Sequence, residues 1–165
     1  MERGNGRRPL AEVLTGANGK VRWGCWVAVC AVAAGCANTA PDALLPYRVE
    51  GDAIRERLAE PGDAARGRQV VISRDSNCLL CHNVPDAGVR FMGGVGPPLF
   101  GVGARLSEGQ LRLRIVDSMR LNRDTIMPSY YRMDGLNKVA EAWRGKPVLT
   151  AQQVEDTVAY LSTLR

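Results

Sequence analysis

Apolar residues recur at helical spacing in three parts of the chain, and nowhere does strand-type alternation run for long. The pattern is sharpest at the end, where Val154, Val158 and Leu161 stand at i, i+4 and i+7 on one helical face. Thr150 and Gln153 supply a capping box for that helix, with Leu149 and Val154 at the staple positions. Leu111, Ile115 and Met119 place a second amphipathic helix over 107–120, with Met119 as a core residue. A third starts at Asp63, a good N-cap, and runs to about Ser73. Gly67 lies inside it, where glycine costs roughly 0.5–1 kcal/mol relative to alanine. It marks either the close approach of another backbone or ring, or a tolerated surface position. Ile54 and Leu58, one turn apart, predict a short amphipathic piece ending at Pro61-Gly62. The expected fold class is all-α.

The N-terminal segment follows a different logic. Arg3, Arg7, Arg8, Lys20 and Arg22 precede the apolar run from Trp23 to Gly35, a charged region followed by a short hydrophobic one, as in an export signal. The run is too short for a transmembrane helix, which needs about 20 apolar residues. Its end, Ala33-Ala34-Gly35-Cys36, resembles a bacterial lipobox, with Ala33 where a large aliphatic residue is usual. Either Cys36 is lipidated and becomes the mature N-terminus, or cleavage occurs at small residues such as Ala33 or Ala37. Arg7-Arg8 is followed by Pro9 and lacks the rest of a twin-arginine pattern, so general export of an unfolded chain is expected. The location is then periplasmic, membrane-tethered if Cys36 carries lipid. The divisions are a signal at 1–36, a tether and N-terminal extension at 37–61, and one domain at 62–165. Removing the signal lowers the net charge from +5 to about +2, because five Lys or Arg and only Glu2 and Glu12 lie in the first 35 residues. That excludes nucleic acid as the expected partner.

Within the domain one motif carries chemistry. Cys78-Leu79-Leu80-Cys81-His82 has the spacing at which a c-type haem is attached, two thiols adding to two vinyl groups with the adjacent imidazole facing the iron. His82 is the only histidine, so the proximal ligand follows by elimination as well as by motif. A zinc site wants four Cys or His ligands, and the domain offers none beyond the motif. A dithiol redox pair would want a βαβ setting, which the pattern lacks. Cys25, Cys30 and Cys36 all fall in the signal region.

A sixth ligand can be narrowed to the methionines. Met119 is assigned to the core, and Met92 is only ten residues from His82, beside Gly93-Gly94. Met127 lies in Asp124-Thr125-Ile126-Met127-Pro128, far enough along the chain to pass round a porphyrin edge. Pro128 fixes its own φ and removes an N–H that would need a partner there. Met127 is the expected ligand, with Met133, an open site or a core role for Met127 as alternatives. His/Met ligation raises the potential, which suits an electron acceptor.

Gly67, the C-x-x-C-H, Gly96-Pro97-Pro98-Leu99 with Arg105, the Met-Pro loop and Val158-Ala159-Tyr160-Leu161 occur in an order that resembles class I cytochromes c over about 62–165. The resemblance implies a helical domain around one covalently bound haem c, with His82 and Met127 on the iron. It further implies that Pro97 offers its carbonyl to His82 Nδ1–H, that Leu99 packs on the porphyrin, that Arg105 pairs with a propionate, and that Tyr160 packs over Gly67. A narrower likeness rests on Met127-Pro128-Ser129-Tyr130-Tyr131, on 135–140 and on 143–156, including Trp143-Arg144-Gly145-Lys146-Pro147. These segments resemble SoxX cytochromes, the monohaem subunits of SoxAX complexes.

That likeness implies a heterodimer with a SoxA-type cytochrome, transient contact with the SoxYZ carrier, and a downstream cytochrome c acceptor. The enzyme activity implied is that of an L-cysteine S-thiosulfotransferase complex, with the sulfur chemistry on SoxA and electron relay on this chain. The alternative is a free-standing cytochrome c that carries electrons to a terminal oxidase. A peroxidase-like enzyme would need a distal acid or base, and no second histidine exists to provide it. Tyr130, Tyr131 and Trp143 are expected either to face the partner or to wall the Met127 side of the haem.

Overall fold

The computed structural model describes residues 44–85 and 87–165. The expected signal, with Cys25, Cys30 and the candidate lipidation site Cys36, lies outside the described residues, as does the start of the tether. Among the described residues five α-helices follow in order: α1 (Ala64–Ile72), α2 (Cys78–Cys81), α3 (Val102–Arg105), α4 (Glu108–Asp117) and α5 (Ala151–Thr163). Two short 3-10 turns, Ser118–Arg120 and Glu141–Trp143, interrupt the loops. Among the described residues the only β pairing is an isolated bridge between Glu50 and Ala53.

Local chemistry accounts for the three long helices. Asp63 caps α1 by accepting the Arg66 N–H at 2.7 Å, and the helix ends at Ser73, whose N–H reaches the Val70 carbonyl. Thr150 and Gln153 close a reciprocal capping box on α5. Ser107 and Gln110 do the same on α4.

The terminal helices α1 and α5 form the most extensive helix pair, and they cross at Gly67. A β-carbon there would sit 1.8 Å from the Asp156 carbonyl oxygen and 2.9 Å from Tyr160 Cβ, so only glycine lets the backbones meet. The Asp156 carboxylate locks the crossing. It accepts the Asp63 N–H at 2.8 Å, both Arg66 Nε and Nη2 at 2.8 Å, and Gln152 Nε2 at 3.0 Å.

On the other side of α5, Glu155 meets Arg112 of α4. The two are 2 % and 1 % exposed and form a two-pronged pair at 2.7 and 2.8 Å. The third prong of Arg112 donates to the Ile54 carbonyl at 2.8 Å, and Glu155 also accepts the Leu58 N–H at 2.9 Å. These bonds explain why 54–58 is not the helical piece its spacing predicts. The Ile54 N–H, which donates to Gly109 O at 3.0 Å, the Ile54 carbonyl and the Leu58 N–H are all bonded to α4 and α5 and not to one another. Ile54 and Leu58 are nonetheless core residues, so the N-terminal extension is packed against the helices.

Met119 also departs from expectation. The α-helix tightens into a 3-10 turn after Asp117, which rotates Met119 off the apolar stripe. It becomes partly exposed and lines a surface hollow with Tyr47 and Arg120.

Two outcomes follow from the crossing. Gly67→Ala forces the helices apart and should cost at least about 1–3 kcal/mol, read as a lower denaturant midpoint. Burial alone would raise the Asp156 carboxyl, but hydrogen bonds from Arg66, the Asp63 N–H and Gln152, with the Arg66 charge, hold it below its ordinary 3.8. The stabilisation this adds is complete above the unfolded-state pKa and is lost as pH falls through the lowered folded-state value. Asp156→Asn should therefore weaken the fold at pH 7, with the deficit narrowing at pH 3; an equal deficit at both would contradict the linkage.

Candidate functional site

The C-x-x-C-H motif opens on Asn77, held in the left-handed region at φ 53°, and makes the single turn α2. The His82 N–H bonds back to the Cys78 carbonyl at 2.9 Å. The chain then loops out and returns alongside the motif. Gly93, Gly96 and Leu99 donate to the carbonyls of Leu79, Cys81 and Asn83, each at 2.8 Å. This three-rung ladder fixes the Pro97 carbonyl 2.7 Å from His82 Nδ1. A carbonyl only accepts, so Nδ1 carries the proton and Nε2 keeps its lone pair, the form a metal ligand needs. Nε2 has no hydrogen-bond partner among the described residues.

Gly96 makes this geometry feasible. A β-carbon at that position would lie 2.5 Å from His82 Cε1, 2.8 Å from Nδ1 and 3.0 Å from Nε2. Only a residue without one lets the loop lie against the imidazole. The sequence offered a signal in Gly96-Pro97, but the steric role of Gly96 depends on where the imidazole sits.

Cys78, Cys81, His82, Pro97, Leu99, Arg105 and Met127 all line one cavity of about 640 Å³. Helix α4 contributes Leu111 and Ile115 to the wall, and α5 contributes Leu161, none of which the sequence marked as site residues. Apolar side chains stand at the mouth too, with Val95 68 % and Ile126 74 % exposed, beside the exposed Asn77, Arg105 and Asn122. Such exposed apolar surface around a cavity calls for an apolar occupant. Two free thiols at C-x-x-C spacing, one nitrogen donor, one thioether and largely hydrophobic walls fit a haem c in donor chemistry and in lining.

Met127 reaches the cavity because its loop is pinned to α4. Its carbonyl accepts the Ser118 hydroxyl at 2.7 Å, its N–H donates to Thr125 Oγ1 at 3.2 Å, and Tyr130 N–H returns to the Ile115 carbonyl at 3.0 Å. The other candidates lie elsewhere. Met92 Sδ accepts the Val84 N–H at 3.3 Å and packs against the core, and Met133 lines a separate groove. Arg105 lies at the cavity but donates to the carbonyls of Phe100 and Pro98, bracing the loop that follows the ladder.

The aromatic pair does not form a partner-facing patch. Tyr130 is 6 % exposed, lines the cavity and donates to the Ser76 carbonyl at 2.7 Å, tying the Met127 loop to the motif. Burial and the nearby Cys78 hold its hydroxyl protonated far above its ordinary range. Tyr131 is 1 % exposed, and its hydroxyl accepts the Leu45 N–H at 2.8 Å. Both are drawn inward because the chain runs back along α4 at this point. Trp143 alone remains at the surface, away from the cavity.

A family model described as cytochrome c matches residues 64–165. No curated protein matches the chain. Among solved structures, the crystal structure of SoxXA from P. pantotrophus is similar, with a TM-score of 0.66 and 33% identity, covering 72% of this chain and 93% of that one.

Gly96→Ala tests the ladder directly. In haem-loaded protein it should displace the His82 ring and alter the low-spin absorption spectrum, whereas Pro97→Ala keeps the carbonyl and should change the spectrum little. The reverse order of effects would mean that the proline ring, and not the carbonyl position, fixes the imidazole.

Proposed function

The chain belongs to the cytochrome c family, and on that premise we propose that it is the electron-accepting subunit of a SoxAX-type thiosulfate-oxidising complex. One observation carries the reading. Cys78, Cys81, His82 and Met127 meet on a single apolar cavity, in a chain similar along most of its length to one from a SoxXA structure.

The haem, when bound, supplies a one-electron ferric/ferrous couple. The protein's part is to hold and tune it. Cys78 and Cys81 would tether the porphyrin through thioethers, and His82 Nε2 and the Met127 sulfur would ligate the iron. The Pro97 carbonyl keeps the imidazole proton on Nδ1 and so sets ring orientation and basicity. Leu99, Leu111, Ile115 and Leu161 exclude water from the cavity, which limits the reorganisation that accompanies a change of charge. Arg105 is placed to meet a propionate while bracing Pro98 and Phe100.

Joining thiosulfate to a cysteine thiol of the SoxYZ carrier gives an S-thiosulfonate, one proton and two electrons. The reading assigns that bond formation to the SoxA-type partner. Among the described residues the only cysteines are Cys78 and Cys81, and haem attachment would consume both. This chain moves one electron at a time, so each conjugation needs two transfers through it to a downstream cytochrome c. The reading includes export through the segment 1–36 and folding of 62–165 in the periplasm, with either lipidation of Cys36 or ordinary cleavage after Ala33 or Ala37.

The test is thiosulfate-dependent reduction of the haem with SoxA- and SoxYZ-type partners present and then with each left out. Reduction should require both; equal reduction without SoxA would replace this reading with a free-standing carrier. Met127→Ala should lower the potential and abolish the weak red absorption of ferric haem bound to thioether sulfur, because a weaker or oxygen ligand then takes the position. If Met133→Ala does this instead, the ligand assignment fails.

A further inference from the structure

A second surface lies away from the haem cavity. Residues 132–148 form a loop closed at its neck by the bond from Leu149 N–H to the Tyr130 carbonyl at 3.0 Å. Apart from the turn at Glu141–Trp143 it has no regular structure. Loops longer than about 12–15 residues without structure of their own are uncommon in compact domains and usually functional. It is nevertheless shaped, with Arg144 and Lys146 N–H groups bonded to the carbonyls of Glu141 and Trp143, each at 3.2 Å. Lys138 is held in the left-handed region at φ 56°.

The loop encloses a groove of about 340 Å³, to which Met133, Leu136, Val139 and Trp143 give apolar lining. Lys138, Arg144 and Lys146 line it too, and no carboxylate does. Arg132, also present, is neutralised by Asp117 at 3.2 Å. The other three cations have no ion-pair partner among the described residues. Trp143 is 39 % exposed at this site.

We propose that this groove docks an acidic segment of a partner protein, with one apolar side chain of that segment seated against Trp143 and its carboxylates on Lys138, Arg144 and Lys146. Three uncompensated cations create a local positive potential that steers and orients an anionic surface. Tryptophan in a small apolar recess is a frequent binding hot spot. The groove's volume suits one or two side chains. None of its residues lines the haem cavity, so the proposal stands apart from the electron-transfer reading and either can fail alone.

The test uses the haem-loaded, reduced full chain and ¹⁵N NMR, with Trp143→Phe identifying the indole signal. The probe is a short peptide of glutamates flanking one leucine. One control replaces the glutamates by lysines, another the leucine by serine. The acidic peptide should move the Trp143 indole and the 132–148 amides, and the serine peptide should bind more weakly. Lys138→Glu, Arg144→Glu and Lys146→Glu together should weaken binding roughly tenfold or more, the sum of three exposed pairs. The single variant Lys146→Glu should give a partial loss, and an unchanged haem spectrum certifies folding. The proposal is overturned if the acidic peptide leaves the indole unmoved, if acidic and basic peptides act alike, or if the triple variant binds as tightly as the parent. It is equally overturned if phosphatidylglycerol vesicles or a single-stranded oligonucleotide move the same signals at lower concentration.

Discussion

One turn of α5 organises the molecule, because two adjacent carboxylates there hold opposite sides of the fold. Asp156 clasps the start of α1 through Asp63 and Arg66, and Glu155 clasps α4 and the N-terminal extension through Arg112 and Leu58. The first contact requires Gly67 so that the backbones touch. The second is a buried ion pair, which is favourable only when its remaining hydrogen-bonding groups are satisfied. Here the Ile54 carbonyl and Leu58 N–H complete the set. The arrangement keys the extension to one position, since a slip of one residue would strand a buried charge. With α1, α4 and α5 so fixed, the cavity wall is set before any loop is considered.

The loops then bring chemistry to that wall by main-chain bonding. The 93–99 segment is laid against the motif by its ladder, and the Met127 loop is laid against α4 by Ser118 and Tyr130. In both cases a backbone carbonyl or N–H decides where a candidate ligand atom goes. This division suits electron transfer: rigid helices give a constant apolar enclosure, and short bonded loops hold the candidate donor atoms with little room to move on a change of oxidation state.

What the sequence made legible was whatever is local. The caps of α1 and α5, the motif and the Met-Pro loop each declare themselves within a few residues. What it hid was set by distant partners. Ile54 and Leu58 have helical spacing, yet their backbone bonds go to Gly109, Arg112 and Glu155, which no local pattern announces. Arg112 sits mid-helix, where a cation usually faces water, and its burial depends on a glutamate 43 residues away. Tyr130 and Tyr131 were ambiguous because an aromatic pair suits an interface and a core equally. The return of the chain along α4 resolved both as inward. The helix break after Asp117 that displaced Met119 was equally unmarked, since Ser118 reads as an ordinary helix residue until its hydroxyl is seen on the Met127 carbonyl.

The chain also separates its surfaces by chemistry. The mouth of the haem cavity carries exposed apolar side chains, Val95 and Ile126 among them, against which a partner's redox centre can come close and expel water. The 132–148 loop carries the second groove and its cations, and no residue of that groove lines the cavity. Apolar contact alone gives little orientation, because hydrophobic contact is not directional; charge on a separate surface adds orientation. With the groove docking a partner as proposed, a single domain would hold that partner by one surface and exchange electrons through another, and the loop would not need to loosen for the electron to leave.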